Sequence, residues 1–159
     1  MKILAALLFT LTLFSHVTAQ SDTPVKIKFL GDYWHNGIVG DQLLHNILVP
    51  KDITKDQLIA VAKELFKDRP GYYHFFTDDK QFQAFMDSDL HYRKSDKPNY
   101  PYPEKWANKH YIAQINKHAT RGYLGEWALW AMSVDSFKFA ESPQDSMIIS
   151  LGKPEKPIQ

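Results

Sequence analysis

The chain predicts an α+β fold: a mixed sheet of about four to six strands with two helices packed on it, one layer-sandwich domain. Three observations predict it. Val25-Lys26-Ile27-Lys28-Phe29-Leu30 alternates apolar and basic side chains, the period of a half-buried strand. A capped, one-sided apolar helix follows Thr54, between two strand-like runs. Beyond a Pro-rich stretch, three more short apolar runs supply further strands.

Taken in order, residues 31–41 form a turn-rich stretch with an Asn36-Gly37 tight-turn pair. Residues 42–49 read as a second strand, stopped by Pro50. Thr54 with Gln57 has the form of a capping box. Leu58, Val61, Ala62, Leu65 and Phe66 then recur at helical spacing, and Arg69-Pro70-Gly71 ends the helix. Residues 72–76, Tyr-Tyr-His-Phe-Phe, are an aromatic strand. A strand–helix–strand step of this kind makes parallel neighbours. Thr77 or Asp78 can cap a second helix carrying Phe82, Phe85 and Met86 on one side.

Residues 88–102 turn polar and Pro-rich, which precludes a helix through Pro98, Pro101 and Pro103 and favours an extended surface segment, with at most a single turn near Trp106. Residues 111–115 read as a strand. Gly122 and Gly125 bracket a bend within a loop over 117–125. Residues 127–132 are apolar on both faces, as in a strand covered on both sides. Residues 147–151 fit a last edge strand before a loose tail from about 152.

The N-terminus carries an address. Lys2 precedes an apolar run from Ile3 to Phe14, and Val17 and Ala19 place small side chains before a cut after Ala19. The run is too short to span a bilayer of about 30 Å, so residues 1–19 are expected to be a removed signal peptide. Of 159 residues, 140 remain as a domain over 20–159. Loss of Lys2 leaves 18 basic against 18 acidic side chains. That balance argues against nucleic acid, and no second apolar stretch reaches membrane-spanning length. The chain has no Cys, so it holds together by packing, with thiol catalysis and thiolate metal sites ruled out. A Cys-free exported chain points to a bacterial envelope, in the periplasm or beyond it.

No nucleophile elbow, zinc helix, phosphate loop or dinucleotide glycine pattern is present. Asp87, Asp89 and His91 would point one way in an extended segment and offer a transition metal two carboxylates and an imidazole; no other cofactor is expected. A Ca²⁺ loop fails there, because Tyr92 stands where the turn needs Gly. His35, His45, His74, His110 and His118 are scattered, with Glu104 and Glu126 as possible acid–base partners, and linear spacing selects no pair. Rigid aromatic side chains on turns suit recognition, so Tyr33, Trp34, Tyr100, Tyr102 and Trp106 form the expected partner-binding surface. The expectation is an exported, non-enzymatic protein-binding or accessory factor of the envelope. The alternatives are a small hydrolase or metal-dependent enzyme using dispersed His and Asp, and a carbohydrate- or peptidoglycan-binding module.

Overall fold

Six strands lie side by side in the order in which the chain makes them. The structure, a computed structural model, describes residues 24–37, 40–91, 99–117, 126–140 and 146–154. The strands are β1 (Lys28–Gly37), β2 (Gly40–Leu48), β3 (Tyr72–Phe76), β4 (Tyr111–Lys117), β5 (Trp127–Ala131) and β6 (Met147–Gly152). Helix α1 (Lys55–Asp68) joins β2 to β3, which pair in parallel; the other neighbouring strands are antiparallel. Helices α2 (Phe82–Leu90) and α3 (Glu104–His110) lie between β3 and β4, and a 3₁₀ segment (Val134–Phe139) follows β5. The expected α+β class and mixed sheet are therefore present. The helical content exceeds the two helices expected: among the described residues there are three α-helices and the 3₁₀ segment.

Local chemistry accounts for α1. Thr54 Oγ1 accepts from the Gln57 backbone N–H, and Gln57 Oε1 accepts from the Thr54 N–H. The apolar stripe Leu58, Val61, Ala62 and Phe66 is buried against Ile47, Phe75, Ile115, Trp127 and Leu129. In β3 the next residue, Phe76, belongs to a second core with Phe85, Met86, Trp106 and Tyr111. Adjacent strand residues face opposite ways, so α1 covers one sheet face while α2 and α3 cover the other. Phe76 is the hub of this second core, with the rings of Phe82, Phe85, Trp106 and Tyr111 centred 5.1–5.7 Å away.

Several expectations are corrected. Residues 31–37 are paired strand, not loop: Asn36 pairs with Asp41 and Gly37 with Gly40, and residues 38–39 lie outside the described residues. Contacts remote in sequence select the strand. His45, 2 % exposed, hydrogen-bonds Asp32 through Nδ1 at 2.5 Å, and the Arg69 guanidinium lies 3.6 Å from the same carboxylate. Helix α2 begins after Gln81 with no side-chain cap, because Asp78 is engaged elsewhere: it accepts from the Lys80 N–H and the Trp106 indole. Residues 88–90 of the stretch expected to be extended belong to α2, and beyond it Trp106 sits in α3, seven residues long, where at most a single turn was expected. Pro103 stands just before α3, where its missing N–H costs no helical bond. Residues 118–125, most of the loop expected at 117–125, and the tail beyond 154 lie outside the described residues. No helix among the described residues is long and apolar enough to cross a membrane.

Candidate functional site

Strand register places three polar side chains side by side on the face away from α1. Asn46 pairs with His74, and His74 pairs with Gln114, across β2, β3 and β4. Polar groups in the middle of a sheet face are costly unless something meets them. Asn46 is 1 % exposed; its amide donates to Gly31 O at 3.0 Å, while its Oδ1 has no hydrogen-bond partner among the described residues. Gln114 Oε1 accepts from the Tyr111 hydroxyl at 2.9 Å. The His74 ring lies 4.9 Å from that of Tyr111.

Helix α2 roofs this row. Phe85 and Met86 are buried against the sheet, which fixes the rotation of the helix and brings Asp89, one turn on from Phe85, over the open end of the row. The result is a cavity of about 300 Å³. Its floor carries His74, Gln114, Asn116 and Gln42, and Phe85, Tyr102 and Tyr111 bring aromatic side chains to it; Tyr72 also borders it, with its ring packed 4.8 Å from Trp127 of the first core. Tyr102, half exposed, packs its ring 5.6 Å from Phe85 and forms the rim. Among the described residues of the lining, Asp89 is the sole acidic side chain and no Lys or Arg joins it.

Electrostatics converge on that carboxylate. The Tyr33 hydroxyl donates to Asp89 Oδ2 at 2.6 Å. Burial raises the pKa of Tyr33, Tyr102 and Tyr111, and the negative charge of Asp89 raises each further. All three stay protonated at neutral pH, so the cavity presents hydroxyls, amides, an imidazole and one carboxylate against aromatic faces. That set can hydrogen-bond a polyhydroxylated or amide-bearing molecule and stack on its flat side.

The five aromatic residues expected to form one surface are separated. Tyr33 and Tyr102 come together around Asp89. Trp34 is 62 % exposed on β1, opposite Leu43 and on the other face from Tyr33. Tyr100 stacks on His91 at 3.8 Å. Trp106 is buried in the second core, 7 % exposed, with its indole N–H on Asp78. The expected metal trio rested on an extended segment, and the helix replaces that geometry. In α2, residues two apart point to nearly opposite sides: Asp87 accepts from Gln83, Asp89 meets Tyr33, and His91 lies past the helix end. Among the described residues no group of three His, Asp or Glu side chains is arranged to hold a metal ion.

Tyr111, Gln114 and Asn116 were not singled out by sequence, and His74 stood only among the scattered histidines. The pairing of β3 with β4 sets His74 beside Gln114. No protein family, curated protein or solved structure matches the chain.

Proposed function

We propose that the protein is an exported, non-enzymatic binding protein of a bacterial envelope, cleaved after Ala19, that holds a glycan fragment in the cavity beneath α2. The observation that carries this reading is the lining itself: among the described residues, amides, hydroxyls and one carboxylate set among the rings of Phe85, Tyr102 and Tyr111. Sugars ask for this combination, hydrogen-bond partners for the hydroxyls and an aromatic face for the C–H side. A volume of about 300 Å³ limits the ligand to a small sugar unit or the end of a longer chain. Binding remains the proposed role, but the ligand differs from the protein partner expected from the aromatic loops. Burial of Trp106 and engagement of Tyr33 with Asp89 take two residues away from such a surface.

The test is titration with cell-wall mono- and disaccharides, read by tyrosine and tryptophan fluorescence. Saturable binding should weaken about tenfold or more in Asp89→Asn and Gln114→Ala, as expected on losing a hydrogen bond to a charged or buried group. No binding by any of these sugars, or binding indifferent to both substitutions, would remove the reading. A second reading, hydrolysis, is supported by His74 and Asp89 sharing one cavity. Turnover of a bound oligosaccharide that is lost in Asp89→Asn would establish it.

A further inference from the structure

A second cavity lies at the other end of the sheet, and its chemistry is different. Strands β2 and β3 are parallel, and the chain leaving their carboxyl ends supplies Lys51 and Thr77. Helix α3 ends there with Lys109 and His110, and the 3₁₀ segment adds Ser136 and Lys138. Together they enclose about 370 Å³. The carboxyl ends of parallel strands are a recurrent place for ligands, because the loops leaving them diverge and leave a crevice.

Among the described residues, three lysines line this space, Lys138 with its Nζ 5.3 Å from the Phe139 ring centre, against one lining carboxylate, Asp135. A second carboxylate, Asp78, stands just behind. It accepts from the Trp106 indole and the Lys80 N–H, and Lys51 approaches it only to 3.9 Å. Two neutral groups are held in place between the lysines: Thr77 Oγ1 and His110 Nδ1 are 3.1 Å apart, and the Thr77 backbone N–H donates to His110 O. The groups arrive from four separate elements, so the positive charge is gathered by the fold and not by a run of lysines in sequence. The field is felt at His110, whose pKa is lowered by burial and further by Lys109, Lys51 and Lys80, against an opposing effect of Asp78.

We propose that this cavity is a binding site for a small oxyanion, with inorganic phosphate as the simplest member of the class. Lys51, Lys109 and Lys138 supply the charge and Thr77 a hydroxyl, while Ser136, whose hydroxyl donates to Ser133 O at 2.9 Å, borders the cavity without a free donor. This inference is independent of the glycan cavity and survives or fails apart from it.

The experiment is a phosphate titration of the purified protein at constant ionic strength, following the His110 ring signals by NMR. Chloride is the screening control and malonate the carboxylate arm. Saturable movement of the His110 signals by phosphate is expected, with affinity about tenfold weaker in Lys109→Gln/Lys138→Gln. Asp135→Asn should tighten binding severalfold. A separate hollow of about 270 Å³ lined by Lys63, Lys67 and Lys153 gives the internal comparison, because it has lysines without the Thr–His pair. Lys63→Gln/Lys67→Gln should leave the response unchanged. The proposal is overturned if chloride reproduces the shifts, if the Lys63/Lys67 variant loses as much affinity as the Lys109/Lys138 variant, or if Asp135→Asn has no effect. Saturation by malonate and not by phosphate would replace phosphate with a dicarboxylate and overturn the stated ligand.

Discussion

The Tyr33 hydroxyl of β1 donates to the Asp89 carboxylate of α2 at 2.6 Å, across 56 residues of sequence. The bond ties the edge strand to the helix that roofs the glycan cavity. Burial, and then the Asp89 charge, hold the Tyr33 hydroxyl well above the usual tyrosine range, so it is a donor at neutral pH. Tyr33→Phe removes one charge-assisted bond while keeping the ring, at a cost of about 1.5–3 kcal/mol. Urea unfolding measures that loss. Sugar affinity should fall as well, because Asp89 loses a group that orients it.

Trp106 contributes in two separable ways. Its ring stacks on Phe76 at 5.7 Å, and its N–H fixes Asp78 at 3.0 Å. Trp106→Ala should cost about 3–5 kcal/mol through the cavity it leaves. Trp106→Phe keeps most of the packing and loses the bond, for about 1–3 kcal/mol. The indole is the leading cause of the lowered Asp78 pKa. In Trp106→Phe the Asp78 carboxyl should therefore titrate at higher pH, measurable by carboxyl NMR.

Gly31 separates shape from space. Its φ is +130°, at the bulge between Phe29 and Gly31 in β1, and a Cβ built there would meet nothing within 4 Å. Gly31→Ala should nevertheless destabilise by about 1–3 kcal/mol, since the penalty is in the backbone and not in a clash. An unchanged melting temperature would mean the bulge relaxes freely.

Acid should weaken the fold through His110. Burial and the neighbouring lysines lower its pKa below the ordinary 6.5. The folded state then disfavours the charged form, and between the two pKa values the unfolded chain binds more protons. The stability this gives is full above about 6.5 and is lost as pH falls through the folded value. Unfolding midpoints of wild type and His110→Gln, compared at about pH 7.5 and pH 5.5, should show a smaller drop in the variant. Phosphate, if bound, should reduce the wild-type drop, because an anion favours the imidazolium.

Legibility from sequence followed the range of the interactions involved. The start of α1 is written in Thr54 and Gln57, three residues apart, and both bonds are present. β3 and β5 were visible because their apolar runs satisfy the strand pattern by themselves. β1 beyond Leu30 was hidden because polar Asp32 and the Asn36-Gly37 pair read as a turn locally, while His45 and Arg69, remote in sequence, make Asp32 a strand residue. The site was hidden for the same reason. Asn46, His74 and Gln114 are far apart in the chain, and what unites them is register, which no single strand specifies. Trp106 shows the opposite error: a Pro-rich flank argued for a surface, but the aromatic hub at Phe76 supplied a buried place for its ring.

Strand order identical to chain order also has a kinetic meaning. Each new strand adds to an edge that is already present, so no pairing has to be reopened to admit a later one. Contacts between sequence neighbours close short loops first, which keeps the entropic barrier low. The step that must wait is β3, because its parallel pairing with β2 requires α1 to be formed and laid across the sheet. The antiparallel β1–β2 and β4–β5–β6 pairings can therefore form ahead of the parallel β2–β3 pairing, which joins them once α1 is in place.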